Sequence, residues 1–285
     1  MIWRNNSGNR RAMEIRRPDG CTVYYEVHGQ GPQTAIMVQG LGASMRFWHG
    51  LPQALAEADP QRKIIALDNR GSGRSRPNRR LWTISDFADD MVAVLDAEGI
   101  PAAFVVGNSL GGMVAQRFVA RHPQRARALL LISTMPALYL ARLPSLRTIR
   151  NVWNVATCRH DQVPDALIEL LLTKEVVGER GRQMLRAFPD LMTHESPRTF
   201  WTFLRQALVV ATHLTPPKAI RCPTLIIAGA NDQMVSPRNA KALAKHIPGA
   251  RIRLLANIGH SLPVMAPERI VEAFAELEQM DPIKA

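Results

Sequence analysis

Three side chains of this protein have the chemistry needed for nucleophilic catalysis: Ser109, Asp232 and His260. A serine hydroxyl is a poor nucleophile until a neighbouring imidazole accepts its proton. The imidazole in turn needs a carboxylate that fixes its tautomer and stabilises its charged form. Such a set attacks a carbonyl carbon and forms an acyl-serine that water then hydrolyses. Because the three residues are far apart in the sequence, the fold would have to bring them together.

Ser109 lies in the stretch Gly107-Asn108-Ser109-Leu110-Gly111. The apolar run 102–106 predicts a buried strand, and residues 110–121 carry apolar side chains at helical spacing. A serine between a strand and a helix, within G-x-S-x-G, is the pattern of a nucleophile elbow. The glycines are needed because the sharp turn brings backbone segments so close that side chains would collide. Since this short pattern also occurs by chance, its meaning depends on the rest of the chain.

Asp232 and His260 each follow a predicted strand. Asp232 lies in the loop after the strand at 224–228, and His260 lies in the loop after the strand at 251–255. Taken singly, Asp232 could merely cap a turn and His260 could merely bond to loop backbone. Taken together with Ser109, in the order Ser, Asp, His and at strand ends, they predict a catalytic triad.

Predicted strands and helices alternate along most of the chain, which favours a parallel sheet covered by helices on both faces. Beyond the elbow, the strands are expected at 13–16, 22–27, 33–38, 63–67, 128–132, 224–228 and 251–255, and the helices at 47–58, 84–98, 239–246 and 268–278. Between 137 and 217 the pattern is helical, at 165–172, 181–188 and 198–208. We therefore expect a loose tail at 1–12, a core domain at 13–136 and 218–285, and a helical cap at 137–217.

Composition excludes several classes of protein. With 285 residues, 46% apolar and 21% charged, the chain is typical of a globular protein. No apolar run approaches the ~20 residues needed to cross a bilayer, and the polar N-terminus is not a secretory signal. We expect no association with membranes.

Charge and cysteines give further expectations. The formal net charge of +12 could attract nucleic acid, but acidic residues are interspersed and no aromatic–basic stripe appears, so we expect a generally basic surface and no nucleic-acid partner. Cys21, Cys158 and Cys222 are widely spaced, which predicts a reducing, cytoplasmic compartment and no metal site. The oligomeric state is not predicted.

Four motifs make the chain resemble the α/β-hydrolase fold family: Gln39-Gly40-Leu41-Gly42, the turn at 68–75, the elbow at 107–112, and the paired loops of Asp232 and His260. The resemblance spans about residues 13–280. It implies an α/β fold with a mostly parallel, eight-stranded sheet whose second strand is antiparallel, helices on both faces and no cofactor. It also implies an oxyanion hole formed by the backbone N–H groups of Leu41 and Leu110. Many relatives have His-Gly where this chain has Gln39-Gly40, which raises the question of how this loop is anchored.

The resemblance also narrows the chemistry. Serine at the nucleophile position argues against dehalogenases and epoxide hydrolases, which need a carboxylate there. Asn108 is typical of carbon–carbon bond hydrolases of aromatic ring cleavage, but their Gly-Pro-Gly extension and their aromatic residue after the histidine are replaced by Gly42-Ala43-Ser44 and Ser261. The hypothesis is therefore a hydrolase for an ester or lactone of a small, largely apolar molecule. A carbon–carbon bond hydrolase, a cofactor-free lyase, cyclase or haloperoxidase-like enzyme, and a binding protein that retains the fold stay open.

Residues near the elbow and in the cap are candidates for a substrate pocket. We expect contacts from Gln39, Trp48, Met113, Met135 and Trp201. Apolar residues at helical spacing could equally pack the cap onto the core. The cap histidines His160, His194 and His213 are expected at the surface.

Overall fold

The centre of the molecule is an eight-stranded sheet in the order β1-β2-β4-β3-β5-β6-β7-β8. The computed structural model describes residues 10–157 and 199–281. The strands are β1 Arg10–Arg16, β2 Thr22–His28, β3 Gln33–Val38, β4 Arg62–Leu67, β5 Ala103–Asn108, β6 Ala126–Ile132, β7 Thr224–Gly229 and β8 Arg251–Leu255. β2 is antiparallel to both of its neighbours, and every other neighbouring pair from β3 to β8 is parallel. The predicted fold class and the antiparallel second strand are confirmed.

Helices cover both faces of the sheet, because successive residues of its inner strands point to opposite sides and both sides are apolar. In β3, for example, Ile36 and Val38 belong to one core and Ala35 and Met37 to the other. The helices on the first face are α2 Ile84–Ala97, α3 Leu110–Arg121 and α6 Pro237–His246. Those on the second face are α1 Leu51–Ala58 and α8 Pro267–Gln279, which follows the short helix α7 Leu262–Met265.

Two of the differences from the sequence prediction have a clear structural cause. β1 begins at Arg10 and thus includes residues expected in the tail, because its full length pairs with β2. The helix predicted at 47–58 is divided into a 3₁₀ turn, Met45–Trp48, and α1. The division arises at His49 and Gly50, whose φ angles of 49° and 80° lie in the left-handed region and end the first turn.

Between β6 and β7 the described residues form two α-helices, α4 Leu146–Thr157 and α5 Thr199–Ala211. The predicted helical segments at 165–172 and 181–188, together with His160 and His194, lie outside the described residues. α5 is joined to the body of the protein, since Val209 is buried in the core and the Thr212 hydroxyl accepts a hydrogen bond of 2.8 Å from the Ile84 N–H. The limits of the cap at 137 and 217 stay a prediction. Within the described ranges, no helix is both long and apolar enough to span a bilayer.

Candidate active site

The elbow holds Ser109 in a backbone conformation that residues other than glycine seldom adopt. Its φ of 53° and ψ of −119° place a non-glycine residue at positive φ, a strain of about 1–3 kcal/mol. Close packing on both sides maintains it. A Cβ atom on Gly107 would lie 2.4 Å from the Gly111 carbonyl oxygen, and one on Gly111 would lie 2.1 Å from the Val38 carbonyl oxygen. The glycines of the motif are therefore required by steric contact with backbone, as the sequence predicts.

The side chains of Ser109, His260 and Asp232 form one hydrogen-bonded chain. The Ser109 Oγ is 3.1 Å from His260 Nε2, and His260 Nδ1 is 2.8 Å from Asp232 Oδ2. The other carboxylate oxygen of Asp232 accepts hydrogen bonds from the N–H groups of Met234 and Val235, at 2.9 and 2.8 Å. With Nδ1–H donating to the carboxylate, Nε2 is left as the acceptor for the serine proton. This is the arrangement that activates a serine.

The loops that carry Asp232 and His260 are held against each other by backbone contacts. The Asn231 N–H donates to the Ile258 carbonyl oxygen at 3.0 Å. Gly229, the last residue of β7, lies so close that a Cβ atom there would be 2.2 Å from the same oxygen. Sequence reasoning did not single out Gly229. A glycine directly between a buried strand and a candidate acidic loop was the available signal.

The predicted oxyanion loop passes directly beside the nucleophile. A Cβ atom on Gly40 would be 3.1 Å from the Cβ of Ser109. The Ala43 N–H donates to the Gly40 carbonyl oxygen at 3.3 Å, and Gly42 has a φ of 70°. Residues 40–43 thus form a type II turn, with glycine at the position that needs positive φ. Within the described part of the chain, the amides of Leu41 and Leu110 donate to no protein group, so both could bind an oxyanion.

Gln39 anchors this loop through hydrogen bonds to neighbouring segments. Its Oε1 accepts hydrogen bonds from the Gly40 N–H and from Asn108 Nδ2, each at 3.0 Å, and Asn69 Nδ2 donates to its carbonyl oxygen at 2.8 Å. Gln39 is completely buried, and its contact with substrate stays a prediction. It links the loop to the elbow, which answers how the loop is held without the usual histidine.

The turn at 68–75 also supports the oxyanion loop. The buried carboxylate of Asp68 accepts hydrogen bonds from the N–H groups of Met45, at 2.6 Å, and of Arg74, at 2.9 Å. Burial raises the pKa of Asp68 to about 6, although these two donors act in the opposite direction. Asp68 therefore fixes the point where the oxyanion loop enters the 3₁₀ turn.

The other residues predicted to line the pocket lie in different parts of the molecule. Trp48 is fully buried and packs in the core beneath α8, on the face opposite α3. Met113 and Met135 are 2% and 6% exposed and pack in the core on the α3 side. Trp201 is 68% exposed on α5. His213, expected at the surface, is fully buried at the end of α5, and this prediction is wrong.

The described residues offer no alternative centre for metal chemistry. Across 10–157 and 199–281, no three or more His, Cys, Asp or Glu side chains are grouped so that they could hold a metal ion. Cys21 and Cys222 are free thiols.

Comparisons with known proteins place this arrangement in a family. A sequence model described as the α/β-hydrolase fold matches residues 35–153. The chain is also 30% identical over 254 residues to a protein of Caulobacter sp. (strain K31), provisionally named carbamate hydrolase RutD, covering 86% of this chain and 91% of that relative. This chain belongs to the α/β-hydrolase fold family.

Solved structures of this family superpose on nearly the whole chain. A thermophilic esterase from Thermogutta terrifontis matches with a TM-score of 0.77 and 23% identity, covering 95% of this chain and 99% of the esterase. This likeness concerns the fold alone. Est816, described as an N-acyl homoserine lactone degrading enzyme, matches with a TM-score of 0.76 and 25% identity, covering 93% of this chain and 99% of that protein. Together the comparisons support hydrolase activity in general.

Proposed function

We propose that this α/β-hydrolase cleaves a carboxylic ester or a lactone of a small, largely apolar molecule through an acyl-enzyme. The observation that carries the proposal is the hydrogen-bonded chain from Ser109 through His260 to Asp232. Beside the serine lie the Leu41 and Leu110 N–H groups, which donate to no protein group among residues 10–157 and 199–281. Acyl transfer requires a nucleophile, a base, a group that orients the base and an oxyanion hole.

The first half of the reaction forms the acyl-enzyme. His260 Nε2 takes the proton of Ser109 as Oγ attacks the carbonyl carbon, and the electron pair of the carbonyl moves onto its oxygen. The Leu41 and Leu110 amides stabilise this oxyanion, and removal of one such donor typically costs roughly 3 kcal/mol of barrier. When the oxyanion collapses, the bond to the leaving oxygen breaks, and His260 gives that oxygen its proton. Asp232 holds the imidazole in place throughout.

The second half releases the acid. Water enters as the alcohol departs, and His260 removes its proton as the water oxygen attacks the acyl carbon. The second oxyanion occupies the same hole, and its collapse breaks the bond to Ser109 Oγ, which recovers the proton from His260. For a lactone both products are one hydroxy acid. No cofactor is required in this scheme, and we place the reaction in the cytoplasm.

A carbamate is the second candidate substrate class, because a relative with 30% identity bears the name carbamate hydrolase. Its carbonyl would be attacked in the same way. The same residues could also support carbon–carbon bond hydrolysis, lyase, cyclase or haloperoxidase-like chemistry, or the fold could serve a binding protein. Initial rates on p-nitrophenyl esters, lactones, carbamates and vinylogous diketones distinguish these reactions.

The decisive variant is Ser109→Ala. We expect it to lower kcat/KM for the best ester by roughly 10³-fold or more, because the nucleophile is lost while the fold is kept. Ser85→Ala, which removes a hydroxyl that accepts a hydrogen bond from Arg117 far from the site, is the matched control and should keep its activity. A fluorophosphonate probe should label the wild type and the control but not Ser109→Ala. Full ester hydrolysis by Ser109→Ala would refute the proposal.

A further inference from the structure

A glutamine of α5 reaches the oxyanion loop from outside the sheet. Gln206 has no exposed surface, although its neighbours Arg205 and Ala207 are half-buried. Its Oε1 accepts a hydrogen bond of 2.8 Å from the Gly42 N–H. Its Nε2 donates to the Arg70 carbonyl oxygen at 2.7 Å and to Ser72 Oγ at 2.9 Å. One buried carboxamide thus ties α5 to the loops that follow β3 and β4.

Steric contacts back up these hydrogen bonds. A Cβ atom on Gly71 would lie 2.1 Å from Thr202 Cγ2, one turn before Gln206 on α5. A Cβ atom on Gly42 would lie 3.1 Å from Phe203 Cδ2. Both loops therefore present glycines where α5 comes closest, and the position of Gln206 relative to them is closely defined.

The hydrogen bond to Gly42 fixes the central peptide of the turn at 40–43. A glycine at this position permits both the type II turn and the type I turn, which differ by rotation of that peptide. Gln206 holds the Gly42 N–H in the direction that belongs to the type II form. On the other side of Leu41, Gln39 holds the Gly40 N–H and the Ala43 N–H holds the Gly40 carbonyl oxygen.

We propose that Gln206 is a positioning residue for the oxyanion hole, and that the hole is competent only while α5 is seated on the two loops. The proposal rests on the proposed function. Gln206 acts through Gly42 on the adjacent Leu41 amide and does not touch the reacting atoms. Because the oxyanion exists in the transition state and not in the bound substrate, losing this support lowers kcat much more than it changes KM.

The test compares Gln206→Met with a matched change directly after the same helix. Gln206→Met keeps the volume and removes all three hydrogen bonds. Thr212→Val also removes a hydrogen bond by which the end of this helix is attached to the core, from the partly buried Ile84 N–H, but it touches neither of the two loops that Gln206 contacts. We expect kcat on the best p-nitrophenyl ester to fall roughly 10- to 100-fold in Gln206→Met, with KM within about twofold, and to fall less than about twofold in Thr212→Val. The pH profile of both variants should keep the wild-type midpoint, since the triad is intact.

Ser72→Ala provides a milder variant in case Gln206→Met does not fold. It removes one of the two hydrogen bonds that hold the far end of the carboxamide, and should lower kcat by about two- to fourfold with unchanged KM. An aryl boronic acid gives a readout without turnover, because its adduct with Ser109 places an oxygen in the hole. Its affinity should fall in parallel with kcat.

The outcomes separate this inference from the proposed function. If Ser109→Ala loses ester hydrolysis while Gln206→Met and Ser72→Ala match Thr212→Val in kcat and boronate affinity, Gln206 has only a structural role and the inference is overturned. An unchanged kcat with a raised KM would overturn it as well. If the folded wild type hydrolyses none of the substrates and binds no boronate, the proposed function itself fails.

Discussion

The two halves of the candidate site are positioned by different means. On the triad side, Ser109, Asp232 and His260 follow the ends of strands, and glycine-mediated backbone contacts at Gly107, Gly111 and Gly229 set where each loop goes. On the oxyanion side, the loop after β3 is held by side chains. Gln39 bonds to it from within. Asn69 and Asp68 of the turn at 68–75, and Gln206 of α5, bond to it from two other segments.

Because they are positioned by different contacts, the two sides should differ in which substitutions they tolerate. Backbone contacts leave no room for even one methyl group, so the triad side should respond to small additions of volume. Side-chain carboxamides and carboxylates can be exchanged singly, so the oxyanion side should respond in graded steps. A single substitution on the triad side should therefore abolish most activity, whereas a single substitution on the oxyanion side should reduce it only in part.

Among the variants that keep all three triad side chains and change how the two halves are positioned, the largest effect is expected for Gly229→Ala. The new Cβ would meet the Ile258 carbonyl oxygen at 2.2 Å and the Gly259 carbonyl oxygen at 2.4 Å, so the loop that carries His260 must move. A displacement of about 1 Å in a catalytic group typically costs on the order of 10²-fold in rate. We expect kcat/KM for an ester to fall about 100-fold, measured by steady-state kinetics.

Gly249→Ala is the control for this change. It lies in the connection to β8, and a Cβ atom there meets no atom within 4 Å. Its φ of 68° gives a modest destabilisation of about 1 kcal/mol without any change at the site. Equal activity of the two variants at a temperature where both are folded would contradict the idea that backbone contacts position the triad.

The second effect concerns the attachment of α5, on which the oxyanion side depends. The carbonyl oxygen of His213 accepts a hydrogen bond from the Leu138 N–H and its ring is fully buried. Burial lowers the pKa of His213 to about 4, with the charge of Arg117 acting in the same direction, whereas the ordinary value is 6.5. Between these values the unfolded chain binds a proton that the folded protein does not, so acidification from pH 6.5 to pH 4 destabilises the fold.

His213→Leu removes this dependence. Between pH 7 and pH 5, the buried histidine should lower the free energy of unfolding by about 2 kcal/mol. The wild type should therefore lose about 2 kcal/mol more stability over this range than His213→Leu does. Urea denaturation of both proteins at the two pH values measures the difference. Parallel losses in the two proteins would mean that His213 takes up its proton without unfolding α5 from the core.

The sequence predicts those features of the fold and the site that depend on local sequence patterns. The bounds of β3, α3 and β8 agree with the apolar patterns, and the order of Ser109, Asp232 and His260 along the chain anticipated one hydrogen-bonded group. Strand ends and glycine spacing are local properties, so they can be read without knowing what packs against them.

The supports of the oxyanion loop could not be predicted in this way. Gln206 reaches a partner 164 residues away, and nothing in its own helix distinguishes it from a glutamine at the surface. The sequence suggests Trp48 for the pocket, but an aromatic side chain near the loop does not reveal which face of the sheet it joins, and the structure packs it beneath α8. His213 was expected at the surface for the same reason. In each case long-range packing decided the outcome, and periodicity carries no information about it.

The smallest and most specific effect is expected at the Gln39–Asn108 pair. Gln39 Oε1 accepts from both the Gly40 N–H and Asn108 Nδ2, so loss of either residue loosens the link between the oxyanion loop and the elbow. We expect Gln39→Met and Asn108→Ala each to lower kcat about tenfold with little change in KM. Because the two residues share one contact, the double variant should lose about 1 kcal/mol less than the sum of the single losses.

A non-additive result would place the carboxamide contact itself, and not general packing, at the junction of the two halves. Gln39 Nε2 and Asn108 Oδ1 have no hydrogen-bond partner in the described part of the protein, so each side chain makes its contribution through the atoms that face the other. Gln53→Met, which removes an exposed hydrogen bond to Glu57 on α1, is the matched control and should leave kcat unchanged. Strict additivity in the cycle would mean that the elbow and the oxyanion loop are positioned independently. The tolerance of the oxyanion side would then come from the loop alone.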